Sequence, residues 1–249
     1  MKTKAFFISI LITALLMTSC SVLSSAGVKV ITPSKTIISE NRSVSGFTAI
    51  DFSSVGKINI ITGDTESLNI SGPDNLVPEI SSSVSNNTLI IKNKENFTVT
   101  NLSSKDILTY TVVVKSLTAL TVSGLGDVQV ETLSSPTFNL TMSGAGRVQM
   151  NQLTTDNLKV VFSGLGGLDI SGSATQATAD LSGAGSLNAP DLQIKTANIN
   201  ISGLGSATLW VTDQLTGEIS GAGSVSYYGS PKTNTSATGL GQFKSLGSK

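Results

Sequence analysis

Apolar and polar positions alternate in short, regularly placed runs over the second half of the chain. Phe138, Leu140 and Met142 form one such run, followed by Leu158, Val160 and Phe162, then Ala177, Ala179 and Leu181, then Ala197, Ile199 and Ile201. A period of two predicts strands with one buried face. Each run stops at a Ser-Gly-x-Gly tetrapeptide, and the alternation resumes five and seven residues after the Ser. The resumed positions are Val128 and Val130, Val148 and Met150, Leu168 and Ile170, Leu187 and Ala189, and Ala207 and Leu209. Two strands joined by a tight glycine corner are therefore predicted for each unit.

The tetrapeptide begins at Ser123, Ser143, Ser163, Ser182, Ser202 and Ser220, with a degenerate copy at Thr238, at intervals of 20, 20, 19, 20, 18 and 18 residues. Self-similarity at a fixed period near twenty is the signature of a stacked solenoid. The class expected is all-β, a right-handed parallel β-helix with coils of about 20 residues. One coil buries too few side chains to fold alone, so neighbouring coils must bury its faces and both ends need caps. Glycine suits the corner because it tolerates positive φ and close approach between coils, and the Ser hydroxyls are placed to form a ladder. Leu and Ala alternate in the third position, which reads as alternating large and small packing. Strand-like segments at Phe47 to Phe52, Lys57 to Thr62 and Ile107 to Val114 are expected to begin the stack and close its upper end, and Lys232, Lys244 and Lys249 to discourage edge pairing at the lower one.

The N-terminus departs from this pattern. Lys2 and Lys4 precede an apolar stretch, Ala5 to Met17, too short to span a bilayer, which reads as an export signal. The single cysteine, Cys20, follows Leu16-Met17-Thr18-Ser19, similar to a lipobox with Met17 in place of the usual aliphatic residue. A lone Cys in an exported chain fits acylation better than an unpaired thiol. The expected layout is a lipoprotein signal peptide over 1–19, a lipidated flexible tether over 20–40, and one β-helix domain over 41–245. Within that domain, N-terminal coils and a cap take 41–115 and the regular repeats 116–245. An outer-membrane lipoprotein, facing the periplasm or the surface and holding the membrane through its lipid, is the matching location.

Composition narrows the chemistry. Sixteen basic and sixteen acidic residues give no net charge, which lacks the basic footprint of a nucleic-acid binder. With no histidine and no thiol besides Cys20, Ser–His and Cys–His catalysis and His-containing metal sites are excluded. No cofactor is implied. Aligning the copies on the Ser stacks Thr121, Thr141, Val161, Asp180, Asn200 and Glu218, so Asp180 and Glu218 lie two coils, roughly 9–10 Å, apart. That spacing overlaps the upper range for inverting glycosidases, although an outward polar column is ordinarily solvated surface. Asp127 with Arg147, and Lys195 with Asp213, occupy matching columns as surface ion pairs. The column Gln129, Gln149, Asp169, Asn188 and Thr208 lacks the repeated carboxylates of a calcium site.

Eight residues after the Ser stand Glu131, Asn151, Ser171, Pro190, Trp210 and Tyr228. Position seven faces the core, so position eight faces out, placing the single Trp beside a Tyr of the next coil. Two aromatic faces in a row make a stacking platform for a sugar ring. The same pair also reads as an aromatic ladder that stiffens the last coils or lies under the C-terminal tail near Phe243.

The opening Ser45-Gly46-Phe47-Thr48-Ala49-Ile50, the strand Gly56-Lys57-Ile58-Asn59-Ile60, the Ser-Gly-x-Gly series and the closing Tyr228-Gly229-Ser230-Pro231 together resemble the head GIN domain family of auto-transporter adhesins, bacterial exported proteins. The resemblance implies a β-helix similar in shape to pectin lyases without their catalytic residues, and a role in adhesion. It carries over no functional residues. The function expected is a non-catalytic envelope module that binds glycan or protein. The alternatives are a structural or envelope-sensing role and, last, a glycan-active enzyme using Asp180 and Glu218.

Overall fold

The computed structural model describes residues 29–100 and 108–249. Through the repeats the alternation holds, but in the longer coils a pair of consecutive outward residues breaks it twice; in Leu165–Leu181 and Ser206–Ile219 only one such break remains. In the strand Ala145–Phe162 the buried residues are Val148, Met150, Leu153, Thr155, Leu158, Val160 and Phe162, while Asn151 with Gln152 and Asp156 with Asn157 are exposed side by side. Two outward residues in succession turn the chain without ending the ladder. Each coil is thus a triangle, with faces over 147–151, 152–156 and 157–162 and the Ser-Gly-x-Gly segment at the third vertex. The sequence predicted two strands per coil; the short middle face was hidden because both doublets shift the phase of the alternation.

Successive coils pair in parallel register, Phe138 with Leu158, Leu158 with Ala177, Ala177 with Ala197 and Ala197 with Leu215. The predicted apolar columns point inward, with Phe138, Val160 and Ile199 at most 1% exposed. All the tetrapeptide corners line one edge. A Cβ on Gly144 would lie 2.0 Å from the Gly124 carbonyl oxygen, and one on Gly146, whose φ is 143°, would lie 1.9 Å from that of Gly126. The two glycines exist to let one coil's backbone sit where the next coil's side chain would be.

Two expectations about this edge are corrected. No hydrogen bond joins the corner Ser hydroxyls among the described residues; the Ser side chains are exposed and the amides alone tie the corners, as in Ala145 N to Gly124 O at 3.2 Å. Nor is the Leu/Ala alternation internal packing. Leu125, Leu165, Leu204 and Leu240 are 60%, 61%, 72% and 89% exposed, because the corner turns its third residue away from the core.

Coil length changes where one strand carries extra residues. Ala189 pairs with Leu209 while Gln193 pairs with Trp210, so Pro190, Asp191 and Leu192 have no partners in the next coil. One extra residue beyond Val211 partly compensates, giving the net drop of two that appears as the change in spacing from 20 to 18. Proline suits the bulge because it has no N–H for the ladder.

The upper end is more elaborate than a continuation of the stack. The coil made of Ala49–Ser53 and Val55–Thr62 pairs below with Ala119–Val122 and Leu125–Ser134, and above with Thr88–Asn93 and Thr109–Val114. The chain therefore leaves the stack after its first coil, builds a cap, and returns beneath that coil. The cap contains antiparallel pairs, Ile37–Arg42 with Ser67–Pro73 and a hairpin of Ile80–Ser85 with Thr88–Asn93. Asn86 and Asn87 turn the hairpin with φ of 49° and 59°, as a two-residue turn demands. Beneath the cap the Tyr110 hydroxyl bonds Ser54 Oγ at 2.9 Å and donates to Val55 O at 3.2 Å, with its ring edge-on to Phe52 at 5.1 Å. Burial pushes the Tyr110 phenol well above its ordinary pKa.

The segment expected to be a tether through residue 40 is partly strand. Lys29–Ile31 pairs with Phe97–Val99, and Ile37–Arg42 belongs to the cap, so the ordered fold reaches back to residue 29. The expected leader and Cys20 lie outside the described residues. Among the described residues no helix is long and apolar enough to cross a membrane. At the lower end, Thr233, Thr235 and Ala237 stand under Leu215, Gly217 and Ile219, and Phe243 under Val225. The core ends on small and polar residues with one aromatic plug.

Candidate functional site

Asp180, Asn200 and Glu218 occupy one column on an outer face, in the register the sequence predicted. Asn200 stands between the carboxylates and donates from Nδ2 to Asp180 Oδ1 at 2.9 Å. The column projects from a β face with neither carboxylate lining a groove. A hydrolytic pair works from a cleft that holds the substrate between acid and base, and neither Asp180 nor Glu218 lines either of the two concavities of the stack.

The expected surface ion pairs are rearranged. Arg147 lies beside Asp127 in register, but only its backbone N–H reaches the Asp127 carboxylate, at 3.1 Å, while its guanidinium bonds Asp169 at 2.6 Å. Asp169 also accepts from Asn188 at 3.1 Å, so the column weighed for calcium is closed by its own neighbours. No group of metal-ligating side chains occurs among the described residues. Lys195 and Asp213 do not meet in register, because the extra residue of the lower strand falls between the pairs Ile194 with Val211 and Thr196 with Gln214. Asp213 accepts from the Thr212 hydroxyl instead.

A concavity does exist on the short middle face. Ser134, Thr154, Ser173 and Gln193 form one wall, Pro136, Asp156, Thr175 and Lys195 the other, and Ser135, Thr155 and Ala174 the floor of a groove of about 330 Å³. It is concave because these floor residues are small, and two of them satisfy themselves. Ser135 Oγ donates to Thr137 O at 2.8 Å, and Thr155 Oγ1 donates to Asn157 O at 3.2 Å. The walls are left with hydroxyls, an amide, one carboxylate and one ammonium. That inventory matches the donors and acceptors of a polyhydroxylated ligand.

The aromatic pair lies beyond the end of this groove, in the register column of one of its walls and not in the column the sequence assigned. Because Pro190, Asp191 and Leu192 have no counterparts in the next coil, Trp210 pairs with Gln193 and Tyr228 with Trp210. The wall Ser134, Thr154, Ser173 and Gln193 therefore continues into Trp210 and Tyr228. Both aromatic residues are half-buried. Lys249 covers them, its Nζ 5.0 Å from the Trp210 ring centroid and 5.7 Å from that of Tyr228. The same ammonium bonds the Pro190 carbonyl and the Asp191 carboxylate on the ledge left by the bulge. The tail does cover the pair, but through Lys249; Phe243 packs inside instead, against Val225 and Gly217. Sequence reasoning found the aromatic residues and missed the groove, whose one signal is the run of small residues Ser135, Thr155 and Ala174.

A family profile described as "Putative auto-transporter adhesin, head GIN domain" matches residues 46–231. A crystal structure of a "putative adhesin" from Bacteroides fragilis is 30% identical, with a TM-score of 0.82, covering 87% of this chain and 100% of its own. Two from Parabacteroides distasonis, described as a "putative adhesin" and a "putative lipid binding protein", are 21% and 20% identical with TM-scores of 0.68 and 0.64. Each covers 88% of this chain and 100% of its own. No functionally curated protein matches the chain.

Proposed function

The chain belongs to the putative auto-transporter adhesin, head GIN domain family, and we propose that it is a non-catalytic adhesion module of the cell envelope that binds a carbohydrate chain along the groove of its short middle face. The observation that carries this reading is the continuous column from Ser134 through Gln193 to Trp210 and Tyr228. Hydroxyls and the Gln193 amide bond sugar hydroxyls, and the aromatic faces stack on the apolar face of a pyranose where the groove ends. Side chains repeated about every 4.8 Å give a polymer equivalent contacts along its length. The Lys2–Met17 leader and Cys20 support export and lipid attachment to the outer membrane, which keeps such a module at the cell boundary.

Glycan-array binding with the soluble mature domain tests the reading, followed by calorimetry on any hit. Trp210→Ala and Gln193→Ala should each weaken binding about 10-fold or more with the melting temperature nearly unchanged. A marked fall in melting temperature with affinity retained assigns the pair to structure, and no glycan bound at millimolar concentration rejects the function.

A further inference from the structure

The exposed leucines stand on the vertex opposite the groove. Read down the stack, the third position of the corner is Val55, Leu125, Ala145, Leu165, Ala184, Leu204, Ala222 and Leu240. Large residues at alternate coils, about 9.6 Å apart, leave gaps at the alanines between them. The four leucines are 60% to 89% exposed, a costly ridge that no other element covers among the described residues.

This column has a symmetry that selects its occupant. Reversed and laid against itself about a dyad between Leu165 and Ala184, it sets Leu165 on Ala184, Leu204 on Ala145, Leu125 on Ala222 and Leu240 on Val55. Every ridge then meets a gap or the smaller Val55, and all eight positions are used. The flanking columns tolerate the same operation. The Ser column meets itself, Asp127 faces Ser224, Arg147 faces Ser206, Gly167 faces Ser186 and Lys57 faces Gln242, so no charge meets a like charge. A parallel two-fold pair is held in register and would set leucine on leucine with voids at the alanines, and a parallel pair offset by one coil would mesh but would not close into a dimer. We infer that this edge is an isologous interface with a second copy of the chain, its stack antiparallel to the first.

Eight coils at about 4.8 Å give an edge about 34 Å long, and with the flanking columns about 15 Å wide, so roughly 1,000 Å² is buried in total. That is the floor for a specific complex, so the dimer forms with a Kd in the micromolar range and is promoted where copies share a membrane. The groove lies on the side of the triangle away from this vertex, so the dimer presents two open grooves pointing in opposite directions. Pairing of this kind would raise avidity for a repetitive polymer, yet it does not depend on the carbohydrate reading.

Sedimentation velocity over about 1–300 μM tests the inference, using the full mature chain with Cys20→Ser so that no other thiol is present. The wild-type sequence should pass from monomer to dimer. Leu165→Ser with Leu204→Ser should weaken self-association at least about 100-fold while leaving the melting temperature unchanged, because both side chains are in solvent in the monomer. L125C with A222C on one chain should give a disulfide-linked dimer, since these positions are five coils apart within a chain and meet only across the antiparallel dyad. A monomer throughout overturns the proposal, as does a dimer that survives the serine pair. Cross-linking by L125C alone would show a parallel arrangement and overturn it equally. Leucine-dependent pelleting of a monomer with phosphatidylethanolamine vesicles would give the edge to a bilayer instead.

Discussion

Replacing Gly144 by Ala separates two reasons a corner needs glycine. Gly144 is not in the left-handed region, but its Cβ would fall 2.0 Å from Gly124 O and 2.8 Å from Ser123 C. Gly46 is the converse, with φ of 75° and nothing within 4 Å of its Cβ. Gly46→Ala should therefore cost only the left-handed backbone term, about 1–2 kcal/mol. For Gly144→Ala the Cβ lies 2.0 Å from Gly124 O and an ordinary contact begins at 3.4 Å, so the coils must part locally by about 1.4 Å. That displacement stretches Gly144 N to Val122 O at 3.2 Å, Ala145 N to Gly124 O at 3.2 Å and Leu165 N to Gly144 O at 3.1 Å. Three hydrogen bonds at about 1 kcal/mol each, with loosened packing beneath them, give about 3–5 kcal/mol. Gly146→Ala adds backbone strain at φ 143° to the same clash and should be worse still. Urea melts of the purified domain give the totals. Amide exchange should show faster opening of the coils around residue 144 with the cap still protected, because each coil rests only on its neighbours. If Gly144→Ala loses no more stability than Gly46→Ala, close approach is not what fixes the corner and the account of the repeat fails.

Lys249→Ala should uncover Trp210 and Tyr228 and raise glycan affinity by up to about 5-fold, since a cation–π contact and a partly exposed ion pair hold the tail with about 1 kcal/mol; calorimetry showing weaker binding would make Lys249 part of the site. The Tyr110 phenol is raised by burial, so its contribution to stability is complete below the unfolded value of about 10 and is lost as pH climbs beyond it. Tyr110→Phe should flatten that alkaline loss in melts between pH 8 and 11 while costing about 1–2 kcal/mol at neutral pH; an unchanged alkaline slope would clear Tyr110 of the role. Cys20→Ser should abolish labelling by a fatty-acid analogue and release the protein from the membrane fraction, and persistent labelling would sink the lipid anchor. Asp180→Asn with Glu218→Gln should leave glycan binding and product profiles as they were, whereas loss of an observed cleavage would revive the hydrolase reading.

The repeat itself was determined by local sequence. Alternation at period two says which side chains are inside, and glycine pairs every twenty residues say where the backbone must pass another backbone, so the apolar columns and the Ser-Gly-x-Gly edge were legible in the residues alone. Distances along an in-register stack follow from counting, which is why Asp180, Asn200 and Glu218 were placed correctly. Counting fails where one strand carries residues its neighbour lacks. The bulge at Pro190–Leu192 moved Trp210 out of the Asn151 column and into line with Gln193, and the extra residue beyond Val211 separated Lys195 from Asp213. Nothing local marks how such an excess is absorbed; the pairing of adjacent coils decides it. The triangular section, the groove over Ser135, Thr155 and Ala174, and the outward turn of Leu125, Leu165, Leu204 and Leu240 are of the same kind. Side-chain direction at a corner depends on backbone torsions that the stack imposes, so the sequence supplied the leucines and alanines in order, and only the packed coils turned them into a surface.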